Sequence, residues 1–407
     1  MSATERLYYR DSHLLEFDAK IVDVSERDDG AIAVILDRTA FYPTGGGQPN
    51  DLGMLGDARV VDCIDLEDDG VLHVIQGAVP QPGDTVHGVI DPRRRLDHLQ
   101  QHTGQHILSA AFVKLYDAPT QSFRVMEHEC EIDVALADPT DEKIERAVDL
   151  ANQTIWQNLP IKIHEVTAAE AAALPLRKEP ARAGELRVIE IADFDLTPCG
   201  GTHANASGEV GVIVVRSWER AKGLTRIQFM AGMRVVNDYR KANRLATQTA
   251  GRFSAGREDA PALIEKLIDD NRRLARRVRE LDAIACRVEA DEMFRRSTPT
   301  ASEGREIRII QEVLPDREAD SLKHLAQALI AHPQVIALLG SHESDTARLV
   351  FARSADAAGD MNALMRKACE MIDGRGGGKP DLAQGGGKNV AALADAISTI
   401  AEALTKP

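Results

Sequence analysis

Two short stretches carry residue types that can hold a metal. In His102-Thr-Gly-Gln-His106 two imidazoles stand four residues apart, and on a helix such a pair points the same way, one turn apart. Thr103 occupies the place of the HExxH glutamate, so a zinc-peptidase reading is disfavoured. Cys199-Gly-Gly-Thr-His203, preceded by Pro198, offers a thiolate and an imidazole across a Gly-Gly turn. Together they give three imidazoles and one thiolate, a complete tetrahedral set for one zinc ion, from a chain with 12 histidines and 5 cysteines. Cys63, Cys130, Cys199, Cys286 and Cys369 are odd in number, scattered and without a CxxC pair, which argues against a disulfide framework.

Two glycine-rich stretches add chemistry of another kind. In Phe41-Tyr-Pro-Thr-Gly-Gly-Gly-Gln-Pro49 the backbone at Gly45, Gly46 and Gly47 can approach a ligand closely and offer amides to an oxygen, with Pro43 and Pro49 stiffening the turn. A flexible hairpin tip is the plainer alternative. Residues 376–388 hold two Gly-Gly-Gly-Lys units without the spacing of a P-loop. They read as a glycine-rich loop bringing Lys379 and Lys388 to a phosphate backbone, or as a mobile linker.

These stretches need a scaffold, and the composition says one exists. A 407-residue chain that is 43% hydrophobic and 28% charged is a folded protein of two or three domains. No apolar run approaches the roughly 20 residues that cross a bilayer, and the N-terminus lacks a signal-peptide core, so the expectation is cytoplasmic with no membrane partner. The net charge of -15 argues at first against nucleic acid, but residues 1–92 hold 18 acidic against 6 basic residues and carry most of it. Arg93, Arg94 and Arg95, and then Arg216, Arg220, Lys222 and Arg226, form locally basic stretches.

Closely spaced strand patterns over 1–92 predict a small β-barrel carrying the glycine turn. From Asp97 the apolar spacing of Leu108, Ala111, Phe112 and Leu115 predicts a helix, followed by helices near 140–157 and 167–174 and by further strands, an α+β domain over 93–245. Residues 246–300 read as a helical linker. Within it Ile264, Asn271, Val278 and Ala285 alternate with Leu267, Leu274, Leu281 and Val288 as in a coiled-coil seam, or as in one amphipathic helix lying on its own domain. Residues 301–407 alternate strand and helix, an α/β unit.

In this order LDRTAFYPTGGGQPNDLG, the HxxxH helix, CGGTH, KGLTRIQFMAG and GGGKPDLAQGGG resemble the editing half of alanyl-tRNA synthetases, and above all the free-standing long-form alanyl-tRNA editing proteins. The resemblance covers most of the chain and implies a zinc-containing editing domain over 93–245 and a DHHA-type domain over 301–407. It leaves no room for the aminoacylation domain. It implies hydrolysis in trans of the ester on mischarged tRNA(Ala), chiefly Ser-tRNA(Ala) and secondarily Gly-tRNA(Ala). His102, His106, Cys199 and His203 match the family's zinc positions and Gln48 the glutamine beside them. Thr39 matches a threonine held to recognise the serine hydroxyl, with Gly45, Gly46 and Gly47 at the substrate. Thr44 departs from the glutamate common in the full synthetases.

Under this resemblance Arg93 to Arg95, Arg216, Arg220, Lys222 and Arg226 are expected at acceptor-stem phosphates. The C-terminal domain is expected to meet the tRNA body or to mediate a homodimer, with the helical linker as spacer or as the dimer contact. Zinc that shapes the pocket and zinc that activates water both stay open, since four protein ligands usually mark a closed site. The chief competing function is a non-enzymatic zinc-containing tRNA-binding module. A DHH-type phosphodiesterase is disfavoured because Leu99 follows Asp97-His98.

Overall fold

The computed structural model describes residues 4–67, 70–178, 185–302 and 305–405. The chain forms two compact units, Met1–Thr249 and Ala250–Pro407.

The first unit opens with a closed barrel whose strands run, in spatial order, Glu16–Glu26, Ile32–Leu36, Val71–Gly77, Ala58–Asp65, Gly53–Leu55 and Thr85–Ile90. Alternation drives it: Phe17, Ala19 and Ile21 point inward while Glu16, Asp18 and Lys20 stay exposed. Phe41, Leu55, Val60, Ile75 and Ile90 complete the barrel core.

Helix α1 (Pro92–Tyr116) follows directly, earlier than the apolar spacing alone predicts. Asp91 caps it by accepting from the Arg93 and Arg94 amides, and Pro92 sits in the first turn, where its missing N–H is not needed. At its far end Asp117 adopts a left-handed conformation, its amide bonding Phe112 and Val113 carbonyls. From Gln101 to Phe112 every residue of α1 is buried, including Gln101, His102, Thr103, Gln105, His106 and Ser109. A core helix carrying so many buried polar groups must satisfy them with partners, which is the mark of a built site.

Around α1 packs an antiparallel sheet in the order Ile213–Ala221, Leu224–Ala231, Cys130–Val134, Thr120–Val125, together with α2 (Asp141–Trp156), capped by Thr140. A second antiparallel sheet, Ile161–Thr167, Glu185–Ile191 and Asp195–Pro198, delivers Cys199 immediately after its last strand.

In the second unit, a mixed sheet runs in the order Thr300–Ser302, Arg305–Val313, Val335–Glu343, Thr346–Arg353, Leu382–Gly387, Gly374–Gly378. Arg305–Val313 and Val335–Glu343 are its parallel pair, and the helix Ala319–Leu329 lies between them in the chain. The expected glycine-rich loop is instead a paired β-hairpin. Its glycines serve packing: a Cβ at Gly376 or Gly385 would stand 2.7 or 2.3 Å from Cys369 Sγ of the helix Met361–Met371. Residues of the heptad pattern lie on one helix, Ala260–Arg296, where Leu267, Leu274, Val278, Leu281 and Val288 are exposed and Cys286, Ala290 and Met293 are buried against Leu322 and Leu325.

Candidate metal centre and its cavity

α1 brings His102 and His106 onto one face, and the turn after the strand Asp195–Pro198 lays Cys199 and His203 against them. One ligand atom from each of the four lies within 4.8 Å of every other. His102 Nε2 and His203 Nε2 both stand 3.3 Å from Cys199 Sγ. Such convergence requires a residue without a side chain in the turn. A Cβ at Gly201 would lie 2.1 Å from the His102 ring, so only glycine lets the backbone pass there.

Each imidazole is braced from behind at Nδ1. Gln48 Oε1 lies 2.7 Å from His102 Nδ1, Asp195 Oδ2 lies 3.4 Å from His106 Nδ1, and Thr103 Oγ1 lies 3.4 Å from His203 Nδ1. The Gln48 amide is oriented by Thr202, whose N–H donates to Oε1 at 3.3 Å and whose hydroxyl accepts from Nε2 at 2.9 Å. Oε1 is therefore an acceptor, His102 Nδ1 carries the proton, and Nε2 is left with a lone pair toward the thiol. Outer partners of this kind fix tautomer and ring orientation in histidine metal sites. The donor set fits zinc: three imidazoles and a sulfur, buried and tetrahedral in number.

The electrostatics agree. Burial pushes the Cys199 thiol up, but the imidazoles of His102, His203 and His106 outweigh it and hold the group well below the usual thiol range. Burial likewise acts to raise Asp195, yet His106 and Arg177 bring it down to about 2. Arg177 grips that carboxylate with two bonds of 2.6 and 3.1 Å, and Thr197 donates to it as well.

A cavity of about 420 Å³ opens over this cluster, lined by His102, Gln105, His106, Phe123, Cys199 and Gly46 among others. Of the glycine turn, Gly47 has φ of +81° and a Cβ there would lie 2.2 Å from Phe123 O, so the turn docks on the strand Thr120–Val125. A Cβ at Gly45 or Gly46 would make only ordinary contacts, 3.6 or 3.9 Å from the Tyr42 hydroxyl, and both glycines border cavities. Thr39 does not line the cavity. It is fully buried in the barrel with its hydroxyl 2.8 Å from His73 Nε2 and accepting from the Phe41 amide at 3.1 Å. His73 Nδ1 faces Val34 O, so Nε2 is the acceptor and the single Thr39 proton is already given away.

Comparison with known proteins fits this geometry. The DHHA1 domain profile matches residues 306–406, the threonyl and alanyl tRNA synthetase second additional domain profile matches residues 186–228, and the tRNA synthetases class II (A) profile matches residues 3–94. The alanyl-tRNA editing protein AlaX-L of Pyrococcus horikoshii is 33% identical over 392 residues, covering 94% of both chains. The chain belongs to the long-form alanyl-tRNA editing protein family. Among other relatives, the alanine–tRNA ligase of Archaeoglobus fulgidus is 31% identical over 94% of this chain, which spans 42% of that ligase. The C-Ala domain of Aquifex aeolicus alanyl-tRNA synthetase matches 27% of the chain at 23% identity and TM-score 0.25.

For a member of this family the basic residues matter next, and the structure sorts them. Arg95 is not available to any phosphate. It is 1% exposed, ion-paired to Asp51 at 2.5 Å and donating to Ser12 O and Ala40 O, because the early start of α1 turns it into the barrel-facing interior. Arg94 is half-buried and donates to Asn50 O, while Arg93 is exposed. Arg226 is held by Asp133 and Glu131 at 2.8 and 3.1 Å. Arg216 and Arg220 are exposed beside Glu129 and Asp138, and Lys222, Lys379 and Lys388 are exposed. No helix among the described residues is long and apolar enough to cross a membrane.

Spacing alone missed Asp195 and Thr202. Thr202 sits inside the CGGTH motif and could have been suspected there. Asp195, in a strand pattern with no motif, carried no such signal.

Proposed function

We propose that this chain deacylates mischarged tRNA(Ala) in trans, with the seryl ester as chief substrate, the glycyl ester as a second, and one zinc ion per chain at His102, His106, Cys199 and His203. The observation that carries this reading is the convergence of three braced imidazoles and a thiol on the wall of an open cavity. An ester needs no protein nucleophile, only a placed carbonyl and water. Zinc bound there would supply Lewis acidity toward an oxygen.

The residues of the chain do the rest. Gln48 holds His102 in the tautomer that leaves Nε2 free. Asp195, an acceptor only, does the same for His106, and the Thr103 hydroxyl stands 3.4 Å behind His203 Nδ1. Gly46 admits the ligand close to the Cys199 turn, and the cavity leaves room for water beside the ester. In this reading residues 1–92 supply Gln48 and the glycine turn, 93–245 the donors, 246–300 a spacer, and 301–407, with Lys379 and Lys388, a contact to the tRNA body. Arg93, Arg216, Arg220 and Lys222 are the candidates for acceptor-stem phosphates.

The test is hydrolysis of seryl-, glycyl- and alanyl-tRNA(Ala) by the purified chain, beside a Cys199→Ala/His203→Ala double variant, with zinc measured in both. Rapid loss of the seryl ester, sparing of the alanyl ester, and loss of zinc and activity together in the variant are expected. Tight tRNA binding without ester loss in the zinc-loaded protein overturns the reading in favour of a binding module.

A further inference from the structure

Residues 272–279, Arg-Arg-Leu-Ala-Arg-Arg-Val-Arg, hold five arginines in eight positions and no acidic residue, in a chain whose net charge is -15. They sit midway along the helix Ala260–Arg296, which is about 55 Å long. Every residue from Asn271 to Glu280 is exposed.

A helical stretch exposed on all sides gains nothing from a core, and its sides here are unlike. At about 100° per residue Arg279, Arg272, Arg276, Arg273 and Arg277 follow one another round an arc of about 160°. Leu267, Leu274, Val278 and Leu281 occupy the opposite side, exposed as well. The guanidinium groups are weakly engaged. Arg272, Arg273 and Arg277 pair with Asp269, Asp270 and Glu280 at 3.3, 3.0 and 3.0 Å, three residues away on the open surface, where an ion pair holds little. Arg279 donates to Ala275 O of its own helix, and among the described residues no carboxylate pairs with it or with Arg276.

The chemistry of the arc selects its partner. Protein interfaces centre on apolar residues, and within 272–279 the arc carries none. Membrane-surface helices carry aromatic anchors, and residues 260–281 contain no aromatic. An RNA duplex presents rows of phosphates that guanidinium groups grip two bonds at a time, without reading sequence. Arg272, Arg276 and Arg279 rise along the helix by steps of about 6 and 4.5 Å, so their long side chains reach several neighbouring phosphates.

We propose that the arginine face of the helix Ala260–Arg296 docks on the phosphate backbone of a double-helical stretch of the tRNA. This deepens the tRNA-directed reading by making the helix a binding element as well as a spacer, and it rests on tRNA as the partner, independently of ester hydrolysis.

The test is fluorescence anisotropy of labelled, uncharged tRNA(Ala) transcript titrated with the zinc-loaded full chain over a series of KCl concentrations. Arg272→Ala/Arg276→Ala/Arg279→Ala places the best helix former at three exposed positions, and circular dichroism checks that the helix is kept. The variant is expected to bind at least tenfold more weakly near physiological salt and to lose about 2–3 units from the slope of log Kd against log salt, as three phosphate contacts require. The matching triple lysine variant is expected to keep the slope. Wild-type affinity and slope in the alanine variant, or a lysine variant that behaves like it, overturns the proposal. Retained tRNA affinity with lost binding to phosphatidylserine vesicles, or with a changed oligomeric state, assigns the face to a membrane or a protein and overturns it too. Absence of seryl-ester hydrolysis by the wild type strikes the deacylase reading and leaves this contact standing, whereas absence of tRNA binding by the wild type strikes both.

Discussion

Gln48 Oε1 sits 2.7 Å from His102 Nδ1, and 154 residues further along the chain Thr202 holds the same amide from the other side. The barrel thereby reaches into the His/Cys cluster with one side chain. Gln48→Ala removes the brace and leaves all four donors. Loss of such an outer partner typically weakens metal affinity 10- to 100-fold. Competition with a calibrated zinc chelator should show that drop, and wild-type affinity in the variant would remove Gln48 from the site.

Thr39 gives the opposite expectation. Its hydroxyl donates to His73 and accepts from the Phe41 amide inside the barrel, so Thr39→Val leaves two buried groups unpaired. A stability loss of about 1–3 kcal/mol is expected, with the seryl-over-alanyl preference unchanged. A variant that is equally stable and has lost that preference would restore Thr39 to substrate recognition.

His73 also sets a pH dependence. Burial lowers its pKa to about 4, against 6.5 when unfolded. Above pH 6.5 both states are neutral and the residue adds no slope. As pH falls from 6.5 to about 4 only the unfolded chain takes the proton, so stability falls, by about 3 kcal/mol over that window. Both tryptophans, Trp156 and Trp218, lie in the first unit, so their fluorescence in urea titrations follows that unit. His73→Gln should flatten the decline between pH 6.5 and 4, and an identical slope in both proteins would contradict the assignment.

Arg95 and Arg93 should part company. Arg95→Ala strands the buried Asp51 carboxylate and is expected to destabilise the first unit by roughly 3–5 kcal/mol. Arg93→Ala, at an exposed position, should leave stability within about 0.5 kcal/mol and lower the salt dependence of tRNA binding by about one phosphate contact. Equal effects of the two on the salt slope would refute this division.

The difference between those arginines shows what a sequence makes legible. The convergence of His102, His106, Cys199 and His203 was readable because tight local spacing constrains a helix face and a turn. The barrel was readable because alternation of Phe17, Ala19 and Ile21 with charged residues has one physical cause. Where a side chain points depends on element boundaries, and the Asp91 cap with Pro92 begins α1 five residues before the apolar period shows it, taking Arg95 inside. Glycines were the most ambiguous, since looseness and close packing call for the same residue. Gly376 and Gly385 are there for Cys369, and Gly201 is there for His102.

His102 and Cys199 are 97 positions apart in the chain and meet at 3.3 Å. An ion held by both would bind the folded chain and not the unfolded one, so its binding free energy would add directly to the stability of the first unit. Removal of a metal bound there would then be expected to lower the stability of the first unit as well as to empty the cluster.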